Sequence, residues 1–262
     1  MLINKQGIVD AVVSQEPWEY ILVDNFTDAD TFDKLSKISQ HLLDHFDHIR
    51  GNEDVLHLNT LQYRGVPEDL LKVYAQVGKD LEDTSVWEAI WNKFSTHRGT
   101  TSTPMYCKCS VHYTGFGYVD TIHPDSINKS VSITLYVDPE EQTGTTLYES
   151  NNRESTSNTV EWKKNRALIF CPGSDTWHSY LSQDSTHRMV FTMFLEFEDQ
   201  VNFPSKFETV TFQDNSIMVM HVSIFCRGGH TKHVEQINKY RFHIISKLWT
   251  KNPKRIRKII PH

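Results

Sequence analysis

The order of apolar and polar positions divides the chain into a helical first half and a strand-rich second half. Residues 19–24 (EYILVD) form a short apolar run that reads as a strand, and Thr27 and Asp28 behind it are natural helix caps. Leu35, Ile38, Leu42, Leu43 and Phe46 then recur at helical spacing and predict a helix running to about His48. Residues 55–64 read as a strand. Pro67 opens a second helix in PEDLLKVYAQVGKDL, at the first turn, where its missing N–H leaves no bond unmade. DTSVWEAIWNKF supplies a third helical piece, with Trp87, Trp91 and Phe94 as core residues. From Thr103 the pattern changes to short apolar runs: MYCKCSVHYT, SVSITLYVD, TTLYES, NTVEWK, RALIFC and RMVFTMFLEF. Many short strands parted by turn residues predict a double-layered jelly roll. Residues 148–161 are polar and aperiodic, which predicts a surface loop. Near the end, Val234, Ile237, Tyr240, Ile244, Ile245 and Leu248 predict an amphipathic helix.

Composition narrows the class. A chain of 262 residues buries one good core with a small appendage, and 38% hydrophobic with 23% charged residues is a soluble globular balance. No run of ~18 apolar residues occurs to span a bilayer. The first twenty residues lack the basic start and apolar core of a signal peptide, so a cytoplasmic location is expected. Cys107, Cys109, Cys171 and Cys226 suit a reducing compartment. Cys107-x-Cys109 has no second thiol pair to complete a zinc site, so it reads as two buried strand thiols.

Charge is unevenly spread. Residues 221–262 hold ten Lys or Arg and one acid, Glu235, leaving 17 basic against 32 acidic side chains in the first 220 residues. An acidic body thus carries a basic tail. Such a tail suits contact with nucleic acid or another polyanion. A helix docked on the acidic body with a solvated end is the simpler reading and the one preferred from the sequence.

The candidate chemistry lies between His112 and Glu198. In Ile122-His123-Pro124-Asp125, an extended backbone puts His123 and Asp125 on one face, two residues apart. A second His-x-Asp pair, His45 and Asp47, falls in the first helix, where i and i+2 point about 200° apart and cannot share a metal. A distant histidine, His178, stands in DTWHSY, and Arg188 follows ten residues later. Two histidines and one carboxylate with open positions beside them are the ligand set of non-haem Fe(II) oxygenases.

With its surroundings, this order resembles the 2-oxoglutarate/Fe(II) oxygenases of the prolyl-hydroxylase kind. The motifs that carry the resemblance are His123-x-Asp125, the strand end Tyr136-Val137-Asp138, a turn at Gly144, Asn165–Phe170, His178 and Arg188. It extends over roughly residues 19–198. The fold it implies is mostly β with flanking helices (α+β): a double-stranded β-helix, the cupin-like jelly-roll barrel, with N-terminal bracing helices and a C-terminal helix. The implied division is an oxygenase domain over 1–200, with its jelly-roll core at 103–198, and a C-terminal extension over 201–262 holding the basic helix.

By the same resemblance, His123, Asp125 and His178 hold the metal and carry the catalysis. Arg188 binds the distal carboxylate of the cosubstrate, where a planar guanidinium suits paired hydrogen bonds. Tyr113 and Tyr136 match tyrosines that contact the cosubstrate, and Thr192 matches the pocket wall. The implied cofactors are Fe(II), 2-oxoglutarate and O2, with ascorbate as an optional addition. The implied reaction is hydroxylation of a protein or peptide side chain, or of a small metabolite, with release of succinate and CO2. Asp125 is retained, whereas halogenating relatives lose this carboxylate.

Two positions depart from the family pattern: Val190 stands where a small residue is usual, and the turn holds one glycine, Gly144, instead of a pair. Two other readings stay open. One is a nucleic-acid oxidative demethylase whose basic tail holds the strand, acting on an extruded or single-stranded base. The other is a non-catalytic metal-binding jelly roll whose tail binds a partner.

Overall fold

The computed structural model describes residues 1–45, 53–94, 104–115, 117–125, 129–181, 187–197, 205–211, 217–226 and 240–250. The described helices lie in the first half of the chain, and three of the five begin at a side-chain cap. Helix α1 (Lys5–Asp10) starts at Asn4, whose side chain accepts the Gly7 N–H at 2.9 Å. Asp28 accepts the Thr31 N–H at 2.9 Å ahead of α2 (Ala29–His45). Thr27, the other expected cap, instead hydrogen-bonds Asn165. Pro67 precedes α4 (Glu68–Leu81), with Glu68 and Asp69 in the first turn, where negative charge favours the helix dipole. Asp83 caps α5 (Thr84–Trp91) by accepting the Ser85 N–H.

Residues 55–64 differ from the expected strand. Here β3 (Glu53–Leu56) ends early and α3 (Leu58–Tyr63) follows. Alternation reaches Leu56 and Leu58, but Leu58 and Leu61 are both buried at i, i+3, which a helix satisfies and a strand does not. The chain then turns at Gly65, with φ +73°, a conformation that costs glycine little.

Two antiparallel sheets hold the strands among the described residues. The large sheet orders β1 (Val13–Ser14), β2 (Tyr20–Val23), β8 (Ala167–Phe170), β5 (Lys129–Asp138), β10 (Arg188–Phe197), β4 (Pro104–Thr114), β13 (Tyr240–Thr250), β12 (Ile217–Cys226) and β11 (Ser205–Thr211). Strand β3 also pairs with β4, at Val111–Thr114. A small sheet orders β7 (Ser157–Thr159), β6 (Thr146–Tyr148) and β9 (Trp177–Ser179). The segment read as a polar loop therefore includes the exposed strand β7. The described sheets are open and are not joined into one closed barrel.

Alternation along β10 shows how the layers divide. Met189, Phe191, Met193 and Leu195 enter the larger core with α2, α4 and α5, so the helices cover one face of the large sheet. Val190 enters a second cluster with Tyr136, Leu168 and Phe170 of the large sheet and Leu147 of the small one. This inner layer, between the two sheets, is where Arg188 and Thr192 also fall by parity.

Over residues 240–250 the expected C-terminal amphipathic helix is replaced by β13, and its first part, with Val234 and Ile237, lies outside the described residues. The β13 register runs from Cys226↔Tyr240 to Ile217↔Thr250, and Ile245 pairs with Lys108 of β4. The reason lies in the spacing. Tyr240, Ile244 and Leu248 are four apart, an interval compatible with both a 3.6-residue and a two-residue period. Phe242 belongs to the two-residue series alone, and aromatic and β-branched residues favour a pleated strand. The cationic cluster at 251–258 lies outside the described residues.

Gly144 gives a sharp structural test. A Cβ there would lie 1.9 Å from the Val160 carbonyl oxygen and 2.9 Å from its carbon. Both are backbone atoms fixed by the Val160 N–H to Thr145 carbonyl bond of 2.9 Å, so no side chain can rotate away. Gly144→Ala is expected to cost about 1–3 kcal/mol, read as a lower denaturant midpoint in equilibrium unfolding. An unchanged midpoint would mean that this approach is looser than described.

Candidate metal centre and anion pocket

One cluster is made by two chain segments that meet at their backbones. His123 and His178 exchange both main-chain hydrogen bonds, at 3.1 and 3.0 Å, and so stand directly opposite each other. Their rings are 4.6 Å apart between centroids. Asp125 follows two residues on, and one ligand atom from each of His123, Asp125 and His178 lies within 4.8 Å of the others. Among the described residues this is the one such group of three.

The tautomers follow from the partners. His123 Nδ1 lies 2.7 Å from the Thr121 carbonyl oxygen, and His178 Nδ1 lies 2.9 Å from that of Thr176. A carbonyl can only accept, so each Nδ1 carries the hydrogen and each Nε2 keeps its lone pair. Metal-binding histidines are held in this way, with the second nitrogen donating to a backbone carbonyl. Burial holds His178 below its ordinary pKa, against the pull of the Asp125 carboxylate, so the ring is neutral and able to coordinate. Its ring also meets Phe170 of β8 edge-on, at 5.3 Å between centroids.

Asp125 is the charged member. Burial alone would raise its carboxyl, but the Lys129 ammonium and the Ser132 hydroxyl outweigh burial and hold it far below the usual carboxylate range. Lys129 donates to Oδ1 and Ser132 to Oδ2. The donor set of two neutral imidazole nitrogens and one ionised carboxylate fits a divalent first-row metal with positions left open.

A second cluster surrounds Arg188, the first residue of β10, which is 6% exposed. The Tyr180 ring lies against the guanidinium, 3.8 Å from the carbon to the ring centroid. Tyr136 and Trp162, stacked on each other at 4.7 Å, lie 5.7 and 5.8 Å from it. One guanidinium nitrogen donates to the Thr145 hydroxyl at 3.3 Å. The Thr145 N–H donates to the Tyr136 hydroxyl at 3.0 Å, which leaves the Tyr136 proton free to point elsewhere. Burial raises the Tyr136 pKa even with Arg188 nearby, so the phenol stays neutral.

The residues named from sequence do not all share this layer. His123, Asp125 and His178 come together, and Tyr136 joins Arg188. Thr192 lies on the same face of β10, bonded to the Ser110 hydroxyl at 2.8 Å. Tyr113 is elsewhere: it pairs in register with Met189, belongs to the helix-side core, and stacks on His187 at 5.7 Å. Parity decides this, because Arg188 is in register with Thr114, one residue on. Val190, the unusual position after the arginine, fills the inner cluster beside Tyr136. The sequence reading missed Thr145, Trp162, Tyr180, Lys129 and Ser132. Ser132 alone carried a signal, being four residues before Tyr136 and so on its face.

No protein-family model matches the chain, and no curated protein matches it. Among solved structures, a prolyl hydroxylase from Trichoplax adhaerens, in complex with a hypoxia inducible factor peptide fragment, matches with a TM-score of 0.49. The two are 14% identical, over 74% of this chain and 90% of that one. A Pseudomonas putida prolyl-4-hydroxylase matches at 0.47 and 13% identity, over 74% and 96% of the two chains. The non-heme alpha ketoglutarate dependent epimerase SnoN from nogalamycin biosynthesis matches at 0.46 and 13%, over 68% and 76%. No helix among the described residues is long and apolar enough to cross a membrane. The three solved structures are, by name, a prolyl hydroxylase, a prolyl-4-hydroxylase and an alpha ketoglutarate dependent epimerase, and each is similar over more than two thirds of this chain.

Proposed function

We propose that the protein is an Fe(II)- and 2-oxoglutarate-dependent dioxygenase that hydroxylates a protein or peptide side chain, or a small metabolite, releasing succinate and CO2. The observation that carries this reading is the convergence of His123, Asp125 and His178, with both histidines fixed as Nε2 donors. A bound iron would supply the redox chemistry that couples oxidative decarboxylation of 2-oxoglutarate to hydroxylation of a C–H bond. On this reading the inner layer between the two sheets is the interior of a double-stranded β-helix, carried by residues 1–200.

The chain's own groups have distinct tasks. Arg188 binds the distal carboxylate of 2-oxoglutarate, with Tyr180 holding the guanidinium plane and Thr145 its edge. Tyr136 donates its remaining phenolic hydrogen to the same carboxylate. Leu168, Phe170 and Val190 exclude water from the space between the two ends. Ser110 and Thr192 occupy each other's hydroxyls, so they shape the wall rather than reach for a ligand.

The test is an anaerobic titration of 2-oxoglutarate into the Fe(II)-loaded protein, followed by the visible absorption of the metal complex. Saturation at one equivalent is expected. Tyr136→Phe is expected to weaken binding about ten-fold or more, the value of one hydrogen bond to a charged group. Tyr113→Phe, on the other face of the sheet, is expected to leave it unchanged. Absence of any absorption change in the wild type would overturn the reading, and the reverse order of the two tyrosines would move the pocket to the helix side.

A further inference from the structure

Asp125 already holds a cation. Lys129, the first residue of β5, donates to one carboxylate oxygen while Ser132 donates to the other. The side chains are 14% and 8% exposed, so solvent screens this pair weakly. The Lys129 ammonium also lies 3.4 Å from the centroid of the Phe194 ring. Phe194 is buried on the inner face of β10, in register with Ser132. The ammonium therefore has a second partner, the negative face of an aromatic ring, that does not depend on the carboxylate.

We propose that Lys129 is a built-in competitor for metal at Asp125, a positioning residue that weakens divalent-metal binding at the site it borders. The inference rests on the metal reading of His123, Asp125 and His178. Two of those three ligands are neutral, so Asp125 supplies all the negative charge that the triad offers a dication. An ammonium on the same carboxylate neutralises that charge, and it repels a metal bound there. Phe194 lowers the cost of displacement by keeping the ammonium partnered when the metal takes the oxygen. Competition is reciprocal: metal weakens the Lys129 contact by the factor with which Lys129 weakens metal.

The test measures Mn2+ binding to the full chain, without cosubstrate, by the loss of the free-ion paramagnetic resonance signal. Lys129→Met removes the charge and keeps the apolar stem. Lys129→Gln removes the charge but retains a donor for Asp125, which guards against misfolding of the first variant. Lys129→Arg keeps the charge. Mn2+ is expected to bind the Met and Gln variants roughly 5–150-fold more tightly than wild type, the usual range for coupled sites. The Arg variant is expected to stay near wild type. Metal-free Lys129→Met loses Tm, because Asp125 is left without its counter-charge, and regains it on Mn2+ addition. A merely structural lysine would lower Tm in both states and could not raise affinity. Unchanged or weaker Mn2+ binding in both neutral variants, with one Mn2+ per wild-type chain, overturns the inference and leaves the triad standing. If neither wild type nor variants bind Mn2+, the metal reading falls and the inference with it.

Discussion

His178→Ala is expected to abolish stoichiometric metal binding while leaving the two sheets folded. The ring supplies one of three ligand atoms, and its Nδ1 is already committed to the Thr176 carbonyl. Losing a partner that merely orients a ligand costs 10–100-fold in metal affinity, so losing the ligand itself should cost more than about 100-fold. The bridge between residues 123 and 178 survives, because both of its hydrogen bonds are main-chain. Metal content after reconstitution and far-ultraviolet circular dichroism separate the two effects. One equivalent of metal retained in the variant would place the site elsewhere.

Arg188→Met is expected to have a comparable effect on the cosubstrate and none on the metal. Methionine keeps much of the apolar volume beside Tyr180 but leaves a buried carboxylate without its charged partner. Breaking a buried pair in this way costs about 3–5 kcal/mol, which is roughly a hundred-fold to a few thousand-fold in affinity. Arg188→Lys keeps the charge but loses the planar face that meets Tyr180, so an intermediate loss is expected. Calorimetric titration of 2-oxoglutarate into metal-loaded protein distinguishes these variants. An affinity for Arg188→Met within a few-fold of wild type would transfer the role to another cation.

Much of this site was legible in the sequence because it depends on short, periodic signals. His123 and Asp125 needed only an extended backbone, and His178 and Arg188 followed in the order that the family resemblance implies. The long strands β5 and β10 were plain from apolar runs, and the three main helices from their spacing and caps. The face on which Tyr113 falls, opposite to that of Arg188, depends on a one-residue register between β4 and β10 that no local pattern carries. Tyr180 and Trp162 reach Arg188 from separate segments, so no spacing connects them to it. The C-terminal strand was hidden by residues four apart, which fit either period. Lys129 stands i+4 from Asp125, an ordinary helical interval, yet here it closes across the start of β5.

The most direct test of the whole account is succinate formed from 2-oxoglutarate by the purified chain with Fe(II) and O2. The assay is run against pools of peptides and small metabolites. The account predicts succinate and hydroxylated product in equal amounts with the correct pool, and none from Asp125→Ala. A wild-type protein that binds one Fe(II) yet forms no succinate above the protein-free control, with every pool, would contradict it.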